Sequence, residues 1–174
     1  MRDLQFFEGM TVSTDALYQE LILEHNRKPR NFGEIPDADR VVEGRNPLCG
    51  DEVRLSVKLD GDRITDVKFV SPPGKGCAIS KASASLMTAA VKGKPAADAE
   101  ALFERFHKLV RGELSEEEQR ALGSLRAFAG VSKFPMRVKC ASLAWHALHS
   151  ALAGGAAEVT TDDRAHGPPT TEGA

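Results

Sequence analysis

Three cysteines and one aspartate are the residues of this 174-residue chain best suited to metal or sulfur chemistry. Cys49 and Asp51 are two positions apart in the stretch NPLCGDEV, whose proline and glycine indicate a loop. Cys77 lies in GKGCAIS and Cys140 in RVKCASL, each near the predicted start of a helix. A thiol that only fills a core belongs under apolar cover, so a cysteine in a loop is a candidate ligand or nucleophile.

Together these four side chains would form a ligand set that suits tetrahedral Zn²⁺. Asp51 would supply a hard oxygen among soft sulfurs, and therefore the weakest and most exchangeable bond. Helix N-termini near Cys77 and Cys140 would lower the pKa of both thiols. Because four anionic ligands leave excess negative charge, a nearby cation would help, and Arg137 and Lys139 beside Cys140 are the candidates.

Spacing alone leaves other interpretations open. The chain has no CxxC pair, and each cysteine taken singly could be a small buried hydrophobe. An aspartate after glycine and before a strand is also ordinary turn chemistry, so Asp51 could serve the turn and not a metal. The histidines offer no stronger metal signal. His25 reads as a cation at a helix C-terminus, and His107, His146 and His149 as surface or packing residues.

Composition excludes several other functions. The net charge is −2, and a single Trp and a single Tyr provide no basic, aromatic surface on which bases could stack, so a nucleic-acid partner is not expected. The longest apolar run falls well short of the roughly 18 residues of a membrane span, and the N-terminus does not read as a signal peptide. An odd number of cysteines without an export signal indicates reduced thiols and a cytoplasmic location.

The first elements that must position these residues are a helix and a set of strands. The helix is predicted from Thr14 to before Pro29, with an apolar face. A short strand in VVEGR precedes the cysteine loop, and Val53, Leu55 and Val57 then alternate with polar residues. A turn at residues 60–62 sends the chain back along residues 64–70, which gives three antiparallel strands.

Helices follow in the segments CAISKASASLMTAAVKG, DAEALFERFHKLVRG and LSEEEQRALGSL, the last with a capping box of Ser115 and Glu118. A long final helix is predicted to begin near Pro135. This order predicts an α+β fold of two layers, a small three-stranded antiparallel sheet covered by helices. Residues 14–153 form the predicted domain, residues 1–13 an extension in which Met10 is an alternative start, and residues 154–174 a disordered tail.

The cysteine motifs also resemble a known family. NPLCGDEV, GKGCAISKASASLM and RVKCASLAWHAL together look like the SufU branch of the IscU-like (NifU N-terminal-like) iron–sulfur cluster assembly proteins, and ALYQELILEHNRKPRNFG resembles that family's first helix. IscU-like members carry a histidine before the last cysteine, where this chain has Lys139, and a Leu-Pro-Pro-Val-Lys stretch, where it has SKFPMRVKC. The segment GELSEEEQRALGSL resembles the insertion of SufU-like members, which favours the SufU branch.

The resemblance implies that Cys49, Asp51, Cys77 and Cys140 bind zinc, within an IscU-like sandwich of one sheet and helices. It also implies a sulfurtransferase role, in which Cys49 accepts persulfide sulfur from a SufS-type cysteine desulfurase and passes it to downstream Suf proteins of cluster assembly. In the family mechanism a histidine of the desulfurase takes one zinc position, which frees the first cysteine to attack, while the aspartate holds the metal.

Two other functions stay open at this point. The chain could be a scaffold on which a transient iron–sulfur cluster is built, as in IscU-like members. It could also be a structural zinc module whose role is to bind another protein. A metallohydrolase is disfavoured because the sequence has no HExxH-like helix to supply a general base.

Overall fold

The strands form one four-stranded sheet in the computed structural model, which describes residues 14–155 and 157–161. Its strands are β1 (Arg40–Asn46), β2 (Asp51–Asp60), β3 (Arg63–Val70) and β4 (Glu158–Thr160), in the spatial order β3-β2-β1-β4. β2 pairs antiparallel with both β1 and β3, while β4 pairs parallel to β1. The predicted α+β class with antiparallel pairing of the first three strands is confirmed.

The prediction of three strands is wrong by one, and the fourth lies inside the segment predicted as a disordered tail. β4 closes the free edge of β1, where Glu43 N donates to Ala157 O at 2.8 Å and Thr161 N donates to Arg45 O at 3.2 Å. Val159 adds a partly buried side chain to the core. A three-residue strand is too short to show a periodic pattern, so its sequence gave no strand signal. Residues 1–13 and 162–174, and the predictions made for them, lie outside the described residues.

Helices cover one face of this sheet. They are α1 (Thr14–Arg27), α2 (Ala78–Val91), α3 (Ala96–Val110), α4 (Glu116–Ala121) and α5 (Pro135–Ala153), with a 3₁₀ helix over Gly123–Lys133. α5 packs against β1 and β2, and α2 against β3 and α5. The predicted inward side chains of Val53, Leu55 and Val57 are buried beneath them, as is Trp145 of α5. The capping box at the start of α4 is also confirmed.

Ser83 fastens α2 to α5 inside the core. Its hydroxyl donates to Ala141 O, and it accepts a hydrogen bond from Trp145 Nε1 at 3.1 Å. The indole of Trp145 stacks on Phe106 of α3 with ring centroids 4.5 Å apart. Because buried polar groups must be paired, this hydroxyl satisfies two groups that otherwise have no access to water. It thereby fixes the turn of α5 that follows Cys140.

His25 of α1 is buried, contrary to the expectation of a cation that stabilises the helix C-terminus. Its Nδ1 is 2.7 Å from Ser85 Oγ on α2, and Arg30 N donates to the same hydroxyl at 2.8 Å. Burial, with a smaller contribution from the Arg30 charge, lowers the pKa of His25. The neutral ring therefore links α1 to α2 by a hydrogen bond, and charging it would disfavour the folded state.

We expect Ser83→Ala to lower the free energy of unfolding by about 1–3 kcal/mol, because Trp145 Nε1 and Ala141 O would both lose a buried partner. Urea denaturation followed by tryptophan fluorescence measures the change. Ser124→Ala, at an exposed serine of the 3₁₀ helix, is the matched control and should leave stability within about 0.5 kcal/mol of the parent. Equal stability of Ser83→Ala and the parent chain would contradict the proposed link.

We expect a second stability effect from pH. Because the folded-state pKa of His25 is lowered, the unfolded chain binds more protons there, so its contribution to stability is full above the ordinary histidine pKa and falls as pH drops below it. Urea midpoints at pH 7.5 and pH 5.0 should therefore differ more for the parent chain than for His25→Gln. An unchanged pH dependence in the variant would refute this assignment.

Candidate functional site

The loop between β1 and β2 carries the first cysteine to the surface. Asn46 and Asp51 face each other as the last pair of the two strands, and four residues connect them. Gly50 has φ 71°, a left-handed conformation that glycine adopts without strain, and its N–H donates to Asn46 O at 2.9 Å. This turn leaves Cys49 exposed while Asp51 points into the protein.

The two carboxylate oxygens of Asp51 have different surroundings. Oδ1 accepts a hydrogen bond from Cys77 N at 3.1 Å. Oδ2 is buried and has no hydrogen-bond partner within the part of the chain that the structure describes. An unpaired buried carboxylate oxygen is costly, and it is typical of a position that binds a cation.

Cys77 and Cys140 are held by helices. Cys77 is the N-cap of α2, and its Sγ accepts from Ser80 N at 3.4 Å. A Cβ added at the preceding Gly76 would lie 2.8 Å from Ser71 Cβ, so only glycine fits the approach to this cap. Cys140 is buried in the second turn of α5. These two thiols therefore sit on more rigid elements than Cys49.

Three of the four predicted site residues bring their ligand atoms together. Cys49 Sγ and Cys140 Sγ are 3.1 Å apart, and the ligand atoms of Cys49, Asp51 and Cys140 all lie within 4.8 Å of one another. Cys77 lies beside this group, because its backbone N–H donates to Asp51 Oδ1 at 3.1 Å, but its Sγ is not among the three mutually close ligand atoms. All three cysteines are free, so none is withdrawn into a disulfide.

The pKa values of Cys77 and Cys140 are shifted in opposite directions. The hydrogen bond from Cys140 lowers the pKa of Cys77, and the N–H of Ser80 acts in the same direction. The same bond, together with burial, raises the pKa of Cys140. Cys77 is therefore the thiol that the protein environment prepares as a thiolate.

The donor set fits a soft, tetrahedral divalent cation such as Zn²⁺. Three sulfurs and one carboxylate oxygen match its preferred ligands in kind and number. The Asp51 carboxylate has a buried oxygen without a partner in the described part of the chain, and the lowered pKa of Cys77 favours its thiolate form. A bound cation would neutralise the negative charge of both groups. The burial of Asp51 and Cys140 would shield the inner side of such an ion from water.

Asn46 contributes to this cluster, although the sequence indicated only a strand end at Asn46-Pro47. Its side chain is 1% exposed, and Nδ2 donates to Cys49 Sγ at 3.0 Å and to Cys140 Sγ at 3.6 Å. Oδ1 accepts from Leu48 N at 3.3 Å, which shapes the cysteine loop. The signal that could have revealed it is an asparagine three residues before a loop cysteine, where an amide can bond within its own turn.

The two predicted supporting cations lie on different sides of α5. The Arg137 guanidinium is 4.6 Å from the ring centroid of Phe134, and its charge acts on the buried hydroxyl of Tyr18, whose pKa is raised by burial. Lys139 lines a separate cavity together with His107 and His146. A supporting role for either cation at the thiol cluster stays a prediction.

Comparison with known proteins identifies the family. The family model of the NifU-like N terminal domain matches residues 17–153 of the sequence, which include all four candidate ligands. The chain belongs to this NifU-like family. The sequence prediction of a SufU/IscU-type chain is thereby confirmed, and so is its place among proteins of iron–sulfur cluster assembly.

Three relatives show how close the similarity is. The zinc-dependent sulfurtransferase SufU of Bacillus subtilis is 45% identical over 83% of this chain and 95% of its own length. The iron–sulfur cluster assembly scaffold protein IscU of Streptococcus pyogenes is 43% identical over 78% of this chain and 82% of its own. A crystal structure from Fervidobacterium islandicum, described as a candidate scaffold protein for the SUF system, has a TM-score of 0.71 and 37% identity, and covers 80% of this chain and 99% of its own.

No helix in the described part of this NifU-like chain is both long and apolar enough to cross a membrane.

We expect Asn46→Ala to weaken Zn²⁺ binding about tenfold, the scale on which residues that orient metal ligands contribute. The variant would lose the N–H bonds to two sulfurs and the bond that shapes the loop. Competition with a chromophoric chelator measures the affinity. Asn26→Ala on α1 is the matched control and should bind like the parent chain. Unchanged affinity in Asn46→Ala would show that the amide does not position the sulfurs.

Proposed function

We propose that this protein is a zinc-dependent sulfur acceptor, in which Cys49 takes sulfur from the persulfide of a SufS-type cysteine desulfurase for iron–sulfur cluster assembly. The observation that carries this proposal is the unequal exposure of the three thiols: Cys49 is exposed on a turn, Cys77 is half-buried and Cys140 is buried. The similarity to a protein named zinc-dependent sulfurtransferase supports it.

Cys49, Asp51, Cys77 and Cys140 are the residues that would hold the zinc ion. When bound, the ion would stabilise the thiolate form of its sulfur ligands and keep them reduced until a partner arrives. The protein fixes three of these ligands on β2, α2 and α5 and leaves the fourth on a loop. Cys49 is therefore the ligand that can leave with the least distortion of the fold.

The transfer step needs a thiolate in reach of an external persulfide. The Cys49 thiolate attacks the outer sulfur of the desulfurase persulfide, a new S–S bond forms, and the bond between the two persulfide sulfurs breaks. The desulfurase cysteine departs as a thiolate, and Cys49 carries the sulfur as its own persulfide. No electron is gained or lost overall, as in thiol–disulfide exchange.

Apolar side chains beside this site suit a protein partner. Leu48, next to Cys49, is 60% exposed, and Phe134 and Met136, at the start of α5 near Cys140, are also exposed. Exposed large apolar residues next to a reactive thiol and at the start of the helix that carries another suit a docking surface. A desulfurase that covers them would exclude water while sulfur moves to Cys49.

The second candidate function is that of a scaffold on which a cluster is assembled. Its support is the 43% identity to an IscU scaffold protein, because the same three thiols could bind iron as well as zinc. Lys139 counts against it, since an ammonium before Cys140 cannot act as the ligand that a histidine could be. A purely structural zinc module would leave the exposure of Cys49 without a role.

Persulfide mapping tests the proposal. The zinc-loaded protein is mixed with a SufS-type desulfurase and cysteine, and persulfide is located by mass spectrometry of alkylated peptides. We expect sulfur on Cys49 and at least a tenfold loss of desulfurase stimulation in Cys49→Ser. Bound zinc is measured in the variant, so that loss of metal and loss of the acceptor thiol are separated. Sulfur that never reaches Cys49, with turnover unchanged in the variant, would refute the acceptor role.

Metal analysis separates the remaining alternatives. For the acceptor we expect about one zinc per chain and no cluster absorbance. Iron with visible absorbance, transferable to an apo-protein, would establish the scaffold instead. Unfolding on zinc removal, without persulfide on any cysteine, would establish the structural module.

A further inference from the structure

The cavity that Lys139 lines has a volume of about 560 Å³ and lies between α3, the 3₁₀ helix, the first half of α5 and the residue that follows β4. None of the four candidate zinc ligands lines it. Lys139 and Ser142 of α5 face this cavity, on either side of Cys140 in sequence. It is therefore a separate concave site that shares one helix with the thiol cluster.

Two buried hydroxyls in this cavity are unpaired. Ser142 is 5% exposed and Thr161 is 6% exposed, and neither Ser142 Oγ nor Thr161 Oγ1 has a hydrogen-bond partner within the residues that the structure describes. A buried hydroxyl without a partner costs free energy, and few natural proteins retain one without a use for it. Two that line the same cavity indicate a ligand that accepts hydrogen bonds.

The ionisable side chains in the described wall of the cavity are all basic. Arg111, Lys139, His107 and His146 line it, and none of the described lining residues carries a carboxylate. Arg111 Nε lies 3.3 Å from Glu113 Oε1, and Arg111 Nη1 lies 3.5 Å from Nε2 of His107 in the same wall. A concave site that combines cations with free hydroxyl donors is complementary to an anion.

We propose that this cavity binds a small oxyanion, the phosphate or carboxylate group of a small metabolite. Lys139 and Arg111 would supply the charge, and the hydroxyls of Ser142 and Thr161 would donate the hydrogen bonds that they otherwise lack. His107 and His146 would act as further donors from the walls. The volume leaves room for an organic group beyond the anion itself.

Binding of inorganic phosphate to the full-length, zinc-loaded chain tests this proposal, with acetate as the carboxylate probe. Titration calorimetry should show saturable binding of one or the other, and the tighter probe identifies the oxyanion. Ser142→Ala should weaken that binding about tenfold, the value of a hydrogen bond to a charged group. It should not lower the urea midpoint, because the hydroxyl has no bond to lose in the described protein.

Charge variants and the thiol site provide the controls. Lys139→Gln should weaken binding at least tenfold, whereas Lys108→Gln, at an exposed lysine of α3 outside the cavity, should not change it. Cys49→Ser should bind the anion as the parent does, so failure of the sulfur-acceptor proposal would leave this test unaffected.

Two results would overturn the proposal. One is no saturable binding of either probe. The other is binding that appears only when Asp162 and Asp163, the acidic residues that follow Thr161 in the sequence, are changed to Asn. That outcome would mean that carboxylates of the chain itself, and not a separate ligand, interact with the basic side chains of the cavity.

Discussion

The candidate site depends on one hydrogen bond, from the backbone N–H of Cys77 to Oδ1 of Asp51. It joins the first residue of β2 to the N-cap of α2, two segments separated by the whole β2–β3 hairpin. The bond leaves the second carboxylate oxygen buried and without a partner in the described part of the chain, and it fixes the start of α2 relative to the cysteine loop. A neighbouring backbone hydrogen bond from Glu52 N to Lys75 O, and an ion pair between the side chains of the same two residues, reinforce the connection.

This arrangement divides the ligands between rigid and movable parts of the protein. Cys77 is fixed by the cap of α2, and Cys140 by the turn of α5 that Ser83 and Trp145 hold in place. Cys49 is held instead by the side-chain amide of Asn46 and by a turn that Gly50 permits. A thiol on an exposed turn, held by one amide and by its contact with Cys140 Sγ, can leave and return at lower cost than a thiol in a packed helix.

Much of this site could be predicted from the sequence, for identifiable reasons. The cysteine motifs and the glycines beside them indicated which residues meet, because loops and helix starts at one end of a sheet converge. The bond from Asn46 to the sulfur of Cys140 and the bond between His25 and the hydroxyl of Ser85 could not be predicted, since each depends on a partner brought close by folding. β4 was missed because three residues carry no periodicity, and its pairing is made by the backbone of β1.

β4 has a consequence for the behaviour of the protein in a crowded solution. An uncovered strand edge is a template on which a second chain can add its own strand, which leads to aggregation. Here β4 occupies the outer edge of β1, and Asn31 and Gly33 bond to Phe69 along the other edge, on β3. What remains of the edge beside the thiols is three residues long and begins with an exposed glutamate. A protein with an exposed cysteine and apolar neighbours can thus present that surface to a partner while its sheet resists pairing with other copies of itself.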